Sequence, residues 1–507
     1  IQQFIETGRI KLLEELESQL PRGLPDLLRI QNLGPKKIAQ MHKELGVGGV
    51  DDLKKAISSG ALAELSGFGA QSVRKIAEGI AFVEKSSGRT PIGLALPIAQ
   101  QIGDSIGAFD GVKRIEMAGS LRRGAETIGD IDLLCECDDG ERIVTAFTEL
   151  PAVHRVLAAG STRGSVTVLV DRDRELQIDL RVVPAESFGA ALQYFTGSKE
   201  HNVRLREIAV KKKWRLNEYG LFAGEKRLAG ATEESIYGKL EVPFAPPELR
   251  EDRGEFDMAD TSPLVTENDI QGDLHVHTVA SDGVCTIEEM AEAAKARGYK
   301  YIAITDHSKS SIIANGLSAE RMIKHIEDVR AADARVKGIT ILAGTECDIL
   351  ADGSLDYPDS ILAQCDMVIA SIHAGMTGGK TSPTRRLLKA IENRYVTMIG
   401  HATGRLINRR PAMDINMADI VGAAAETRTI LEINAAWQRL DLKADHVRQA
   451  VDAGVMLAIN TDSHHSEGLD CIGLGVLTAR RGWATAESIL NTKPLKSLRA
   501  WIGRKRA

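Results

Sequence analysis

The chain has 507 residues, of which 43% are hydrophobic and 26% charged, with a net charge of −6 and a pI near 6.1. That length exceeds one ordinary hydrophobic core and predicts about two to four domains. No apolar run reaches the roughly 18 residues of a membrane span and no signal-peptide pattern opens the chain, which excludes an integral membrane protein. The six cysteines lack the spacing of a disulfide framework, which favours a reducing cytoplasm. The acidic balance does not exclude nucleic acid as a partner, because phosphate contacts depend on local basic patches.

Residues 1–92 are predicted to be short helices separated by glycine turns. Two stretches, LLRIQNLGPKKIAQMHKEL and LAELSGFGAQSVRKIAEGI, each predict a helix, a tight turn and a second helix. They resemble the helix-hairpin-helix module, whose second helix presents free N–H groups to a backbone phosphate. Asn32 stands where the first copy would usually have a glycine, and asparagine also tolerates the left-handed conformation. The resemblance implies DNA contacts at Gly34, Lys36, Lys37, Gly67 and Gly69, although plain helix packing explains the same pattern.

The pattern changes twice after this region. Residues 93–245 predict mixed helices and strands, and a polar, proline-flanked stretch over 246–271 predicts an exposed linker. From residue 272 to 507, seven apolar runs alternate with helical segments. Continuous apolar strands that alternate with helices predict a parallel sheet covered by helices, and seven such units are enough to close a barrel. The expected fold class is therefore multidomain, α+β followed by α/β.

The segment GSLRRGAETIGDIDLL predicts the first chemical site. Asp130 and Asp132 flank Ile131 on a predicted strand, so that both carboxylates face one way. Asp179, on another alternating segment, is expected to join them from a neighbouring strand. Clustered acids repel one another unless cations neutralise them, and Gly119, Ser120, Arg122 and Arg123 offer a close backbone approach, a hydroxyl and positive charge for phosphate. This set predicts two-metal phosphoryl transfer.

The motifs GSLRRG…GDID, QIDLRVV and ALQYFTGSKEHNVRLR resemble DNA polymerase beta and its family X relatives. The resemblance implies a nucleotidyltransferase palm over residues 93–185 and a nucleotide-selecting thumb over residues 186–245. It also implies that the three aspartates bind Mg²⁺ or Mn²⁺ and are catalytic. Implied substrate contacts are Gly119, Ser120, Arg123 and Gly129 for the triphosphate, Tyr194, Phe195 and Gly197 for sugar and base, Asn202 for the minor-groove edge, and Arg206 for the template. Compared with that family, the chain begins inside an N-terminal subdomain that grips a 5′-phosphate, so lyase activity is not expected.

In the second half, the apolar runs nearly all end in a potential metal ligand. The carboxyl ends of barrel strands converge at one mouth, which is the usual place for chemistry. An isolated histidine after a strand is more often a core residue, but a series at successive strand ends predicts a metal centre. The residues of this series are His275, His277, Asp282, His307, Glu346, His373, His401, Asp462 and His464.

This set resembles the metal pattern of the PHP (polymerase and histidinol phosphatase) superfamily, with every position filled. The resemblance implies a distorted (β/α)7 barrel over residues 272–507 that holds up to three metals, with Glu346 as the bridging carboxylate. Mixed imidazole and carboxylate ligands suit Mn²⁺, Zn²⁺ or Fe²⁺ better than Mg²⁺. Lys380 and Arg405 offer cations for a phosphate, with a surface role equally compatible, and His465 has no implied role.

The two sites together predict a DNA repair enzyme that adds nucleotides at one site and removes 3′-terminal nucleotides or blocking phosphates at the other. Its expected partners are gapped or primed DNA and dNTPs, and it is expected to be a monomer at the nucleoid. Two alternatives stay open: a template-independent nucleotidyltransferase, and a DNA-end-binding phosphoesterase with a weak or silent polymerase site. A dependence of incorporation on the template base separates the first from the main hypothesis.

Overall fold

The computed structural model describes residues 20–21, 23–30, 33–86, 88–171, 174–258, 263–377 and 379–506. Asn32, the predicted substitute for a turn glycine, lies outside these residues. The chain divides into two compact units, one of residues 1–88 with 405–412 and the other of residues 89–404 with 413–507. None of the helices in the described ranges is long and apolar enough to cross a membrane.

The first unit is helical, as its glycine-punctuated sequence predicts. Its described helices are the 3-10 helix Pro25–Arg29 and the α-helices Pro35–Leu45, Val50–Ser58, Ala61–Glu64 and Ala70–Ser86. Pro35 occupies the first turn, where its missing N–H costs nothing, and Gly46 ends that helix with a φ of +67°. The core of the unit is formed by Leu27, Met41, Leu53, Leu62, Phe68 and Ile76, all fully buried.

The second unit opens with the palm region, which is built on a five-stranded sheet in the order β2-β4-β7-β6-β5. Only β4 and β7 pair in parallel, and the other neighbours are antiparallel. The strands in chain order are β1 (Thr90–Pro91), β2 (Arg114–Met117), β3 (Thr127–Ile128), β4 (Asp130–Glu136), β5 (Arg155–Ala159), β6 (Arg163–Leu169) and β7 (Glu175–Val183). The helices of this region are Ile92–Gly107, Gly119–Arg122 and Gly140–Thr148.

The thumb region follows with a three-stranded antiparallel sheet of β8 (Arg215–Asn217), β9 (Gly220–Ala223) and β10 (Lys226–Ala229). Its helices are Ala185–Thr196, Lys199–Lys211 and Glu233–Leu240. Ser198 and Thr232 cap the last two helices, since each side chain accepts a hydrogen bond from the backbone N–H three residues on.

The prediction of an exposed linker over residues 246–271 is wrong for its first part. Arg250 and Glu255 are fully buried there. The Arg250 guanidinium pairs with Glu233 of the thumb, and Glu255 Oε1 lies 2.6 Å from His201 Nδ1. Composition suggested exposure because the segment is polar, but the charges of Arg250 and Glu255 are paired with the thumb rather than solvated.

The last part of the second unit is a parallel barrel of strands in sequence order, β11 to β17. Val276 and Ser463 form a parallel bridge, and the His277 N–H donates to the Ser463 carbonyl at 2.8 Å, which joins the last strand to the first. The predicted (β/α)7 barrel is confirmed. The strands are β11 (Gly272–Val276), β12 (Tyr301–Ile304), β13 (Thr340–Asp348), β14 (Met367–Ser371), β15 (Met398–Ile399), β16 (Ile430–Asn434) and β17 (Leu457–Asn460).

Four helices of the barrel begin at residues whose side chains cap them. Thr286 and Glu289 form a capping box, and Ser318, Ser382 and Asn416 accept backbone hydrogen bonds at later helix starts. These helices are Ile287–Ala296, Ala319–Arg335, Asp359–Leu362, Pro383–Glu392, Met417–Thr427, Ala444–Asp452, Ile472–Arg481 and Leu495–Arg506.

Candidate active sites

Strand pairing brings the three predicted catalytic carboxylates together on the palm sheet. Asp132 on β4 lies opposite Asp179 on the parallel strand β7, and Asp130 lies two residues earlier on β4. Residues two apart on a strand share a face, so the carboxylates form one acidic patch. Burial, together with repulsion from Asp130 and Asp179, raises the pKa of Asp132 to about 7.

The chemistry of this patch fits divalent cations. Gln177 Nε2 donates to Asp179 Oδ2 at 3.0 Å, whereas Asp179 Oδ1 is buried without a hydrogen-bond partner. Arg163 Nη2 stays 3.9 Å from that second oxygen. Hard carboxylate oxygens that repel one another and lack donors are suitable ligands for Mg²⁺ or Mn²⁺.

Gly119 is required for the approach of the neighbouring loop to this patch. A Cβ at this position would lie 2.2 Å from Asp132 Oδ2, and the residue has a φ of +64°. The close contact with Asp132 and the positive φ each exclude a residue with a Cβ at this position. Ser120 follows in the one-turn helix Gly119–Arg122 and is half-buried.

The arginines of this loop, Arg122 and Arg123, are both hydrogen-bonded within the fold, which the sequence did not indicate. Arg122 donates to both oxygens of Glu233, at 2.9 and 2.8 Å, so the structure assigns it to an ion pair within the fold and not to phosphate. Arg123 Nη1 donates to the Thr196 carbonyl at 2.8 Å and Nε donates to Glu251 Oε1 at 3.3 Å. Arg123 therefore joins the loop to the thumb.

The residues predicted to line the sugar and base form one turn at the end of helix Ala185–Thr196. The rings of Tyr194 and Phe195 meet edge to face with their centroids 5.1 Å apart. Asn202 Nδ2 donates to the carbonyls of Tyr194 and Gly197, at 2.7 and 3.1 Å. In this structure the Asn202 amide therefore hydrogen-bonds within the turn, and it does not point toward a base. Arg206, further along helix Lys199–Lys211, is partly exposed, and Gly129 is exposed beside Asp130.

In the first unit, the predicted DNA-contacting glycines stand at open helix starts. A Cβ at Gly34, Gly67 or Gly69 would meet nothing within 4 Å, and Gly67 has a φ of +85°. Lys36 is exposed. Lys37 is engaged within the unit, because its Nζ donates to Ser72 Oγ at 3.2 Å. An open turn leaves room for a backbone phosphate to approach the N–H groups of the helix.

In the barrel, Glu346 near the end of β13 lies at the centre of the predicted ligands. Its two oxygens lie within 3.7 Å of a ring nitrogen of each of five histidines, which are His275, His277, His307, His373 and His401. Asp282 Oδ1 lies 3.3 Å from His464 Nε2, and Asp462 Oδ1 lies 3.1 Å from His277 Nε2. All nine side chains are thus brought together at the carboxyl ends of the strands.

The ligand atoms form three overlapping groups, each within 4.8 Å. The groups are His277, Asp282, His307 and His464; His275, His277 and Asp462; and His307, Glu346 and His373. Both Glu346 oxygens, His275 Nε2 and both ring nitrogens of His401 are buried without a hydrogen-bond partner. Buried polar atoms of native proteins are normally satisfied, so these orphaned donors and acceptors fit metal ions.

The electrostatics of the cluster agree with this fit. Burial and the charges of His307 and His464 lower the pKa of His277 to about 4, which keeps its ring neutral as a ligand must be. Burial alone would raise the pKa of Glu346, but the neighbouring His373 and His307 outweigh it and hold the pKa well below the usual range. The central carboxylate is therefore ionised and ready to bridge cations.

Two of the predicted ligands occupy backbone conformations that L-residues rarely adopt. His401 and Asp462 have φ values of +27° and +55°, directly after strands β15 and β17. Such positions cost about 1 kcal/mol or more and persist where the surrounding structure over-determines them. Here the His401 N–H donates to Glu432 Oε2 at 2.7 Å, and Asp462 Oδ2 accepts from Asn434 Nδ2 at 3.1 Å.

Comparisons with known proteins match both halves of the chain. A family profile described as DNA polymerase beta thumb matches residues 191–251, and one described as PHP domain matches residues 273–462. The DNA polymerase/3′-5′ exonuclease PolX of Bacillus subtilis (strain 168) is 40% identical, over 99% of this chain and 89% of that protein. The chain belongs to the PolX family. The predicted resemblance to family X polymerases with a C-terminal PHP domain is confirmed.

Other relatives match less than half of the chain. Probable phosphatases of Thermoanaerobacter sp. (strain X514) and Shewanella sediminis (strain HAW-EB3) are 27% and 29% identical, over 43% and 44% of this chain. Each match covers 89% of the relative.

Sequence reasoning missed the acids that orient the histidine ligands of the PolX barrel. Glu432 Oε1 accepts from His275 Nδ1 at 2.7 Å, and Asp348 Oδ1 accepts from His373 Nδ1 at 2.6 Å. Each fixes which ring nitrogen remains available to a metal. The signal was present for Glu432, since it is the lone acid inside the apolar run ILEIN.

A cation that the sequence analysis did not name lies beside the predicted metal ligands. Arg439 lines the cleft over the cluster, and its Nε lies 3.5 Å from Asp462 Oδ2. Lys380 is exposed and does not line that cleft, while Arg405 belongs to the other compact unit. His465 points to solvent and pairs with Glu467.

The cleft above the cluster has a volume of about 600 Å³. Its lining combines the metal ligands with Ile312 and Ile313, which are exposed large apolar side chains. The site thus offers apolar surface beside its acids and imidazoles, which suits a substrate that carries more than a phosphate.

Proposed function

We propose that the chain is a DNA-directed DNA polymerase that fills short gaps during repair, with a second site that removes 3′-terminal nucleotides or 3′-blocking phosphates. The observation that carries this proposal is the presence of two separate ligand clusters on a chain of the PolX family, one at Asp130, Asp132 and Asp179 and one around Glu346.

At the palm, the three carboxylates would hold Mg²⁺ or Mn²⁺, and such an ion would supply Lewis-acid activation of a primer 3′-hydroxyl and positive charge for the triphosphate. Gly119 and Ser120 let the triphosphate approach the loop, and Arg123 adds positive charge. Tyr194 and Phe195 pack beside the sugar, where aromatic rings leave little room for a 2′-hydroxyl. Gly129, Gly197, Asn202 and Arg206 complete the proposed nucleotide and template contacts.

At the barrel, the nine predicted ligands would hold up to three ions of Mn²⁺, Zn²⁺ or Fe²⁺, and such ions would supply Lewis-acid chemistry for hydrolysis of a phosphodiester. Arg439 balances charge on the phosphate. Ile312 and Ile313 give the sugar and base of a 3′-terminal nucleotide an apolar contact. The proposed substrate is therefore a DNA 3′ end rather than a free phosphate ester.

The partners follow from these sites. The proposed substrates are gapped or primed DNA and dNTPs, and the helical first unit holds the DNA backbone through Gly34, Lys36, Lys37, Gly67 and Gly69. We place the protein in the cytoplasm at the nucleoid, acting as a monomer. The proposed boundaries are residues 1–92 for DNA binding, 93–185 for the palm, 186–245 for the thumb, 246–271 for the connection and 272–507 for the barrel.

The test is primer extension on a one-nucleotide-gapped duplex with single dNTPs and Mn²⁺ or Mg²⁺, beside a lane without dNTPs. We expect insertion of only the complementary base, and shortening of the primer in the lane without dNTPs. Insertion without regard to the template would instead identify a template-independent nucleotidyltransferase.

Two variants separate the sites. Asp179→Ala is expected to abolish insertion and spare shortening, and His373→Ala is expected to do the reverse. Asp138→Ala and His465→Ala are matched controls, because both residues are exposed. Loss of both activities in either variant would contradict two independent sites.

A second candidate function is a DNA 3′-end phosphoesterase with a weak polymerase site. The observation that favours it is the engagement of both loop arginines, Arg122 with Glu233 and Arg123 with Thr196 and Glu251. Primer shortening without any insertion in the same assay would support this candidate.

A further inference from the structure

Helix Ile472–Arg481 of the barrel ends in two adjacent arginines that contact residues outside the barrel. Arg480 Nε donates to Glu248 Oε1 at 2.7 Å. Arg481 Nη2 donates to both oxygens of Glu251, at 2.9 and 3.0 Å. The two side chains thus make comparable ion pairs to two different acids of the segment that follows the thumb.

Arg480 Nη1 also donates to the main-chain carbonyl of Val265 at 3.1 Å, whereas Arg481 makes a different second contact. Its Nη1 donates to the main-chain carbonyl of Arg123 at 2.8 Å. The same Glu251 accepts from Arg123 Nε at 3.3 Å, so one barrel arginine holds the Arg123 backbone directly and its guanidinium through a shared carboxylate. The side chains of Arg123, Glu251 and Arg481 are only 15%, 20% and 14% exposed, which limits competition from water.

The loop next to Arg123 is packed against the same helix. A Cβ at Gly124 would lie 3.2 Å from Leu477 Cβ, and Gly124 has a φ of +66°. The loop that runs from Gly119 to Gly124 therefore has the palm carboxylates at its first glycine and the barrel helix at its last.

We propose that Arg481, a residue of the barrel, is a positioning residue of the palm nucleotide site, where it fixes Arg123 for the triphosphate. The inference rests on the proposed polymerase activity and deepens it. It makes helix Ile472–Arg481, which carries none of the predicted metal ligands, a support of the nucleotide-binding loop. Loss of the Arg481 contacts removes a hydrogen-bond donor from the Arg123 carbonyl and leaves Glu251 with Arg123 and, at 3.8 Å, Arg253.

The first experiment measures single-nucleotide insertion by Arg481→Ala in the full chain. A lost charge-assisted contact corresponds to about a tenfold change. We expect KM for the dNTP to rise about tenfold, a smaller change in kcat, and unchanged primer shortening at the barrel. Arg481→Lys keeps the charge but not the forked geometry, and we expect it to recover only part of the loss.

Arg480→Ala is the matched control, because it removes the neighbouring barrel arginine, whose partners are Glu248 and the Val265 carbonyl and not the loop. An equal rise in KM in Arg480→Ala would show that general packing of the barrel, and not the loop contact, is responsible, and would overturn the inference. An unchanged KM in Arg481→Ala would overturn it as well.

A double-mutant cycle tests the route through Arg123. If Arg481 acts by positioning Arg123, then Arg481→Ala has no further effect on KM in an Arg123→Ala background. Additive effects would contradict that route.

Equilibrium binding of a non-hydrolysable dNTP analogue with Mg²⁺ separates this inference from the proposed function. If the wild-type chain inserts no nucleotide, the proposed polymerase activity fails. Weaker binding of the analogue by Arg481→Ala than by Arg480→Ala then still supports the positioning role, and equal binding by all three proteins refutes it.

Discussion

Glu432→Gln tests whether a residue that touches no substrate controls the metal centre of the barrel. The Glu432 carboxylate is fully buried and accepts four hydrogen bonds. Burial by itself would raise its pKa, but the neighbouring His275 outweighs this and lowers the pKa, so the group is ionised. Oε1 accepts from His275 and Asn460, and Oε2 accepts from His401 and Asn434.

A glutamine has one oxygen and one NH₂ group, so in either orientation its NH₂ meets two donors. If the NH₂ faces His275, the ring must move or carry its proton on Nε2, where it can no longer bind a metal. Each charge-assisted bond that is lost is worth about 1.5–3 kcal/mol, and loss of such an outer partner typically costs about 10–100-fold in metal affinity. We expect the Mn²⁺ concentration for half-maximal primer shortening to rise by about that factor.

The assay is primer shortening against Mn²⁺ concentration, with thermal unfolding measured in parallel. Nucleotide insertion at the palm is expected to be unchanged. Glu392→Gln, at an exposed glutamate, is the matched control. A Glu432→Gln protein that is stably folded and has the Mn²⁺ requirement of the wild type would refute the reasoning that Glu432 orients His275.

Two further predictions concern the other regions. Gly119→Ala places a Cβ 2.2 Å from Asp132 Oδ2 at a φ of +64°, so we expect insertion to fall about 100-fold, as a displacement of about 1 Å of a catalytic group does, with primer shortening retained. A Gly119→Ala protein that inserts nucleotides normally would show that the loop does not closely approach Asp132. Lys36→Ala is expected to reduce the slope of log affinity against log salt by about 0.9, measured by fluorescence anisotropy with gapped DNA, without changing the unfolding temperature. Lys54→Ala, at a lysine paired with Glu84, is the control, and equal slopes for both variants would contradict a phosphate contact at Lys36.

Some features of the candidate sites were predictable because they depend on local patterns. The alternation of Asp130, Ile131 and Asp132 predicts two acids on one face of a strand, and β4 has that arrangement. The nine barrel ligands follow apolar runs, and parallel strands place their carboxyl ends at one mouth whatever the side chains between them are. Periodicity and the family motifs together were therefore sufficient for the barrel and for the family.

Other features were not predictable because they depend on residues far apart in the chain. The polar segment after the thumb was predicted to be exposed, but Arg250 and Glu255 are buried against Glu233 and His201. Composition shows only that a charged residue is present. Whether that residue is buried depends on whether an oppositely charged or hydrogen-bonding partner packs against it from elsewhere in the fold.

The sequence by itself determined which residue types lie on each strand and which strand ends carry ligands, because side-chain direction follows the local backbone period. Only the tertiary structure decided the pairing of those residues. It placed Asp179 opposite Asp132, assigned Arg122 to Glu233, and brought Arg481 onto the carbonyl of Arg123. Hydrogen bonds and ion pairs act over a few ångströms, so their partners are determined by how distant segments pack and not by their distance along the chain.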